Sequence, residues 1–461
     1  MQTSYKLLLL LCCMTLGSCK KGWLDEKSNK GIVVPTTLKD MQALLDYNVV
    51  MNNGSSLFDV PSFAETGTDN YFLQTPVWQA LSGALLYQKN AYIFAKDIFE
   101  GTLEVPSWNI PYQRVFYTNV ALEGLAKIAP APAEQADWNN ARGCALYIRS
   151  NAFFWLAQVY SKPYNATTAG SDPGIPLRSV ADINAPSTRA SVQETYDQII
   201  ADTKEAARLL PAGSPYKIRA TKPACYGLLA RVYLAMGNYT QAGLYADSCL
   251  QLYNVLLDFN TINAAVLYPV TQYNAEIIYP DATSVSLFIP SRAMADTVLY
   301  KMYGTNDLRK TVFFKPVGST GYYSFNGSYD GTAAIFSGVT AAEMYITRAE
   351  CYARANNQTA ALADLNTLLI KRWKTGTFVP VTALSAEDAL YKILAERRKE
   401  LCFRGLRWMD LRRLNTDSRF AVTITRMINN ITYTLPPGDI KYTYPIPDYI
   451  IQYTGMQQNP R

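Results

Sequence analysis

Apolar residues recur at helical spacing over most of this chain. The run NNARGCALYIRSNAFFWLAQVYSKPYN (139–165) predicts one helix, and it gives way to NATTAGSDPGIPL (165–177), a loop rich in turn formers. SVQETYDQIIADTKEAARLL (191–210) predicts a second helix. Ser191 and Glu194 form its capping box, and Pro211 stops it. KPACYGLLARVYLAMGNYTQAGLYADSCLQL (222–252) predicts a helix pair broken at Gly237 and Asn238.

That pair carries a repeat signal. Ala230 and Ala242 flank the turn, and small residues there let two helices approach closely. Tyr233 lies about one turn beyond Ala230. The same grammar returns in EMYITRAECYARANNQTAALADLNTLL (343–369), with Ala349, Tyr352 and Ala361, and in part at Ala157 and Tyr160. It resembles the tetratricopeptide pattern, but long insertions separate the units, so a scaffold rather than a continuous solenoid is expected. Residues 51–80 and 255–340 read as irregular, with short strand-like pieces and the loop STGYYSFNGSYDGT (319–332). The tail LPPGDIKYTYPIPDYIIQYTGMQQNPR is rich in Pro and predicts extended chain.

The basic stretch AERRKELCFRGLRWMDLRRL (395–414) has a helical stripe of its own: Leu394, Arg398, Leu401, Gly405 and Trp408. Glu400 stands four residues before Arg404, the favourable order for an ion pair. The segment therefore predicts an amphipathic helix with a partly buried Arg398, not a nucleic-acid arm. A buried guanidinium needs a carboxylate, and Glu350 is one candidate. Glu396 and Glu400 sit one turn apart, near the spacing of a glycosidase pair. The surrounding Arg397, Arg398 and Arg404 favour ionised carboxylates, whereas a general acid needs a raised pKa.

Composition narrows the chemistry. The net charge of +6 is modest for 461 residues and far from that of a nucleic-acid binder. His is absent, which excludes Ser-His-Asp and Cys-His catalysis and His-ligated metals within the chain. Tyr is abundant, with 33 copies beside 7 Trp; these amphipathic rings suit wet binding surfaces as well as cores. At the N-terminus, Lys6 and the apolar run from Leu7 to Leu16 form a signal-peptide core too short to span a bilayer. LGSC (16–19) follows it and resembles the lipobox of bacterial lipoproteins, which implies cleavage before Cys19 and lipid on its thiol. Cys144, Cys225, Cys249, Cys351 and Cys402 remain, scattered and without a CxxC pair, so small buried core residues are expected rather than zinc ligands.

The arginine-rich stretch is similar to the C-terminal signature of the SusD/RagB family of outer-membrane lipoproteins. Other segments agree in order: CKKGWLDEKSNK, ETGTDN (65–70), GIPL (174–177), RATKPACYGLLARVYLAMGNY (219–239), YNAEIIYP (273–280), NDLRKTVFF (306–314), FSGVTAAEMYITRAECYARANN (336–357) and YPIPDYIIQYTGMQQNP (444–460). Together they span nearly the whole chain. Arg404 departs from the pattern, since the family more often has an acid before the Gly.

The resemblance implies a mainly α fold, with tetratricopeptide-like helix pairs as scaffold, long irregular loops and a few short strands. It divides the chain into a leader (1–18), an N-terminal SusD-like region (19–220) and a C-terminal SusD/RagB region (221–461), packed as one unit. It implies a binding protein, not an enzyme, with no cofactor. Its partners would be an oligosaccharide or polysaccharide, a SusC-like TonB-dependent transporter, and the outer membrane through lipid on Cys19. A sugar offers an apolar face to an aromatic ring and hydroxyls to Asp, Asn or Arg. By position, Asp69, Asn70, Tyr71 and Trp78 are ligand candidates, as are Tyr322, Tyr323, Phe325, Asn326 and Tyr329 from the middle region, with Arg309 a weaker one. Peptide uptake is the alternative within the family, favoured by a strongly charged pocket. A carbohydrate-active enzyme would require paired acids across a cleft.

Overall fold

The computed structural model describes residues 35–54, 59–283 and 287–461. The leader, the lipobox and CKKGWLDEKSNK lie outside the described residues. Helices dominate. Those that matter for the architecture are α1 (Leu38–Leu45), α2 (Val60–Thr66), α3 (Thr75–Ala80), α4 (Pro106–Ala126), α5 (Gln135–Tyr160), α6 (Val192–Leu209), α7 (Lys222–Ala235), α8 (Tyr239–Leu252), α9 (Ala341–Arg354), α10 (Gln358–Leu369), α11 (Ala386–Glu400), α12 (Leu406–Leu414) and α13 (Asp448–Thr454).

Helices α4 to α10 lie side by side in chain order, and α11 packs on α9. The long insertion after α8 is looped out, so α8 rests directly on α9. Helix α5 is buried continuously from Gly143 to Tyr160, as expected of an element with neighbours on every side. The predicted capping box at Ser191 and Glu194 opens α6. The two helix pairs use the same turn chemistry. Gly237 at φ +73° precedes Asn238, which caps α8 through Gln241 N; Asn356 at φ +59° precedes Asn357, which caps α10 through Ala360 N. Ala230, Ala242, Ala349 and Ala361 are fully buried at the crossings. The five cysteines among the described residues are buried and free, and burial pushes the thiols of Cys144, Cys351 and Cys402 up to about 12.

A second apolar cluster sits beside this scaffold, built from residues within 71–93 and 257–336, with 402, 403 and 428. Its strands are short: β1 (Tyr71–Leu73) with β2 (Ala293–Ala295), β3 (Phe314–Pro316) with β4 (Tyr323–Phe325), and the hairpin β5 (Ile424–Ile428) with β6 (Ile431–Leu435), all antiparallel. Asn429 and Asn430, both at positive φ, make the two-residue hairpin turn. The tail is not wholly extended, since α13 lies within it.

The arginine-rich stretch is two helices, not one. Helix α11 ends at Glu400, Phe403 takes φ +54°, and Gly405 at φ +70° opens α12. Gly405 is required there: a Cβ would lie 2.9–3.1 Å from Pro61 atoms, in a left-handed backbone. The break undoes the single stripe. Arg398 pairs with Asp69 and Asp296 instead of Glu350, which binds Arg413 and Arg354. Glu400 binds Arg309 and Arg372 rather than Arg404, whose guanidinium donates to Thr340 Oγ1 and Gly338 O.

Candidate functional site

Strand β1 carries the TDN motif onto the edge of the second cluster. Residue Asn70 accepts from Asp296 N at 2.8 Å, and Phe72 stands opposite Met294 in the β1–β2 register. Strand β4 adjoins β2, which brings the loop ending at Tyr322 to the same place. The rings of Phe72 and Tyr322 meet edge to face at 5.1 Å. Beside them Tyr323 stacks on Tyr300 at 3.8 Å. Burial, then the neighbouring Tyr323 phenol, push the Tyr300 hydroxyl's pKa up.

These rings adjoin a cleft of about 370 Å³. Asp69, Asp296 and Arg398 form its polar wall, Val298 and Met427 its apolar lip, and β5 its far side. Val298 is 62% exposed and Met427 67%. Asp69 is gripped by Arg407 through two bonds of 2.7 and 2.8 Å, and Arg398 Nη2 donates to its carbonyl at 2.8 Å. Burial opposes the charge on Asp69, but Arg407 and Arg398 outweigh it and hold the carboxyl well below its usual range. Under the wall, Arg426 donates to the carbonyls of Thr68 and Tyr71 and lies over the Tyr92 ring at 3.9 Å.

The candidate residues therefore separate. Asp69, Tyr322, Tyr323 and Phe325 gather around β1, β2 and β4, with Phe325 stacked on Phe403 at 4.5 Å. Trp78 is half-buried on α3. Its Nε1 donates to Lys89 O, and Lys89 Nζ lies over its ring at 4.8 Å. Thr75 and Gln79 of that helix hold Asn429 at the hairpin tip, so Trp78 borders the same neighbourhood through β5. Three candidates are buried in packing roles, and Tyr71, also buried, lies on the cleft lining. Asn70 donates to Glu65 Oε1 at 2.7 Å; Tyr71 donates to Thr66 O; Asn326 accepts from Tyr268 N; Tyr329 lies under Arg404. Arg309 is fully buried among Asp307, Glu396 and Glu400.

Sequence reasoning passed over Phe72, Tyr300, Asp296 and the β5 strand. Phe72 was within reach, adjoining the TDN motif with alternating neighbours; the others are joined only by tertiary packing. Glu396 and Glu400 of the glycosidase-like spacing both bind Arg309. Burial opposes ionisation of Glu400, but Arg372 and Arg309 outweigh it and lower its pKa, the reverse of what a general acid needs. No group of His, Cys, Asp or Glu among the described residues can hold a metal ion. A separate cleft of about 290 Å³ lies between α4 and α13, lined by Trp108, Phe116 and Tyr453. Its accessible lining is mainly apolar, whereas the cleft at Asp69 has a charged wall, which makes the latter the better place for a hydroxylated ligand.

Residues 22–234 match the family model described as "Starch-binding associating with outer membrane", and residues 341–461 match the SusD family. The chain belongs to the SusD/RagB family. Solved SusD-like structures share its fold. A SusD superfamily protein from Bacteroides thetaiotaomicron VPI-5482 is 20% identical, with 92% of this chain and 100% of that one covered and a TM-score of 0.75. A protein described as a putative sugar-binding protein from Bacteroides vulgatus ATCC 8482 is 21% identical, covers 93% and 99%, and has a TM-score of 0.73. A laminarin-binding SusD-like protein is 18% identical, covers 91% and 97%, and has a TM-score of 0.65. No curated protein matches the chain. Among the described residues of this SusD-family chain, no helix is long and apolar enough to cross a membrane.

Proposed function

We propose that this SusD-family chain captures a carbohydrate at the cell surface and passes it to a SusC-like TonB-dependent transporter. Lipid on Cys19 holds it to the outer membrane, and it is a binding protein, not an enzyme. The observation that carries the ligand reading is the Phe72–Tyr322 ring pair beside the wall of Asp69, Arg398 and Asp296. Rings take the CH face of a sugar, and the wall takes its hydroxyls. Tyr323, Phe325 and Trp78 support that surface. The family membership supports the transporter and the anchor, and the laminarin-binding relative makes β-glucans the first ligands to try.

The test is calorimetry and affinity electrophoresis of the chain from Lys20 onward against laminarin, starch and a peptide panel. Phe72→Ala is expected to weaken glucan binding about tenfold or more, the equivalent of about 1.4 kcal/mol, with the thermal midpoint little changed. Unchanged affinity would remove the ring pair from the site. Binding confined to peptides would replace this reading with peptide uptake, for which the charged wall would then be the recognising element.

A further inference from the structure

Most of the accepting capacity of Asp69 is already used. Arg407 takes both carboxylate oxygens, and Arg398 Nη2 adds a third contact at 3.1 Å. The open groups of that wall are two others. Asp296 Oδ1 accepts from Leu299 N and meets Arg398 Nη2 at 3.4 Å, while Asp296 Oδ2 takes part in no hydrogen bond among the described residues. Arg398 Nη1 likewise has no partner among them, since the bonds of this guanidinium run through Nη2. Neither atom is fully buried, and the two side chains are 29% and 16% exposed. An unused acceptor and an unused donor therefore stand side by side on the cleft.

The far side answers them. Along β5, Ile424, Arg426 and Ile428 turn inward and Thr425 and Met427 outward. Thr423, one residue before the strand, continues the outward row, and all three outward residues line the cleft. Thr434 stands opposite Thr425 and Thr432 opposite Met427 in the hairpin register, so β6 adds two more hydroxyls to the same face. All four threonines are exposed, and no hydrogen bond among the described residues uses their hydroxyls. The hairpin is held from its other face and its tip. Arg426 donates to the carbonyls of Thr68 and Tyr71, which ties β5 to the turn carrying Asp69, and Thr75 and Gln79 hold Asn429. The outward hydroxyls are thus fixed in place but free for a ligand.

We propose that the outward face of β5, with Thr423 and Thr425, is a ligand-binding wall, and that together with Asp296 and Arg398 opposite it selects an uncharged glycan over an acidic one. The inference rests on the carbohydrate reading of this cleft and adds to it residues and a substrate class. A hydroxyl both donates and accepts, so a sugar can give to Asp296 Oδ2, take from Arg398 Nη1 and meet the threonines along its other edge. A carboxylate drawn to Arg398 Nη1 would instead meet Asp296 Oδ2, a like charge beside it, and the threonine row offers no cation in exchange.

Calorimetry and affinity electrophoresis of the chain from Lys20 onward test the proposal, with laminarin, starch and xyloglucan as uncharged probes and polygalacturonate as the acidic one. At least one uncharged probe is expected to bind and polygalacturonate not to bind. The double variant Thr423→Val with Thr425→Val removes two hydroxyls from exposed positions at nearly constant shape. It should leave the thermal midpoint unchanged and weaken the bound glycan about tenfold. Asp296→Asn keeps an acceptor for Leu299 N and should let polygalacturonate bind, because the repelling charge is gone. If Phe72→Ala weakens the glycan and the threonine variant does not, the β5 wall is overturned while the carbohydrate reading stands. Polygalacturonate bound by the wild type as tightly as the uncharged probes, or bound alone, would overturn the selection by charge and leave that reading in place. No binding of any of the four would overturn the reading itself, and this inference with it.

Discussion

The scaffold of α4 to α10 and the layer around β1, β2 and β4 are held together differently. In the scaffold, small residues set the spacing: Gly227 faces Val339, Gly243 faces Cys351, and Gly143 faces Leu210, each too close for an added Cβ. Its turns repeat, and neighbouring helices are mostly neighbours in sequence. The layer has strands of three residues, ring contacts and buried charge. Arg309 sits among Asp307, Glu396 and Glu400, and Glu400 reaches across to Arg372, which also holds Glu276. Buried pairs cross the scaffold too, Arg149 with Asp202 and Arg231 with Glu343, so the contrast is between separate pairs added to close-packed helices and one connected network of charges. The first tolerates a change of loop; the second depends on every member of a network being present.

Glu400 is the joint between the two regions, so its loss should have the largest effect. Glu400→Ala leaves two buried guanidiniums short of an acceptor and is expected to cost about 3–5 kcal/mol in chemical denaturation. A cost below about 1 kcal/mol would mean that the remaining acids compensate and the joint is not energetic. Next is Glu65, buried with no cation bonded to it among the described residues, accepting from Asn70, Thr68 and Gly405 N. Burial pushes its pKa up from 4.5 to about 7. The folded chain therefore holds this proton more tightly than the unfolded chain. The resulting stabilisation is complete below pH 4.5 and is lost as pH rises through about 7. Comparing wild type with Glu65→Gln between those values should show a pH-dependent difference of up to about 3 kcal/mol. A difference that is flat with pH would assign the titration elsewhere. The scaffold comes third: Gly227→Val places a side chain 2.4 Å from Val339 Cγ1 and should cost about 1–3 kcal/mol through overpacking.

What could be read from sequence follows the same division. The capping box at Ser191, the break at Gly237 and Asn238, and the buried alanines were legible because periodicity and turn chemistry act within a few residues. Asp69 and the Tyr322 loop were legible as members of one surface only through family resemblance. Asn70, Asn326 and Tyr329 carry the same residue types as a sugar site but turn inward, and composition does not distinguish the two orientations. Arg398 was assigned to the wrong carboxylate because Gly405 can sit on a helical stripe in sequence while taking a left-handed backbone in the fold. The β5–β6 hairpin that closes the cleft was missed, although Asn429 and Asn430 are a recognisable turn pair.

Asp69 meets Arg398 and Arg407 across separations of 329 and 338 residues, and Glu65 meets Gly405 across 340. A chain emerging N-terminus first has therefore made Phe72, Trp78, Tyr322 and Tyr323 long before it has made the residues that fix the wall beside them. Contacts this distant in sequence form late and slowly. A product stopped just after α10 would carry most of the helical scaffold and every aromatic residue of the proposed surface, yet hold no cleft. Binding at the proposed surface therefore requires a chain made at least through β5.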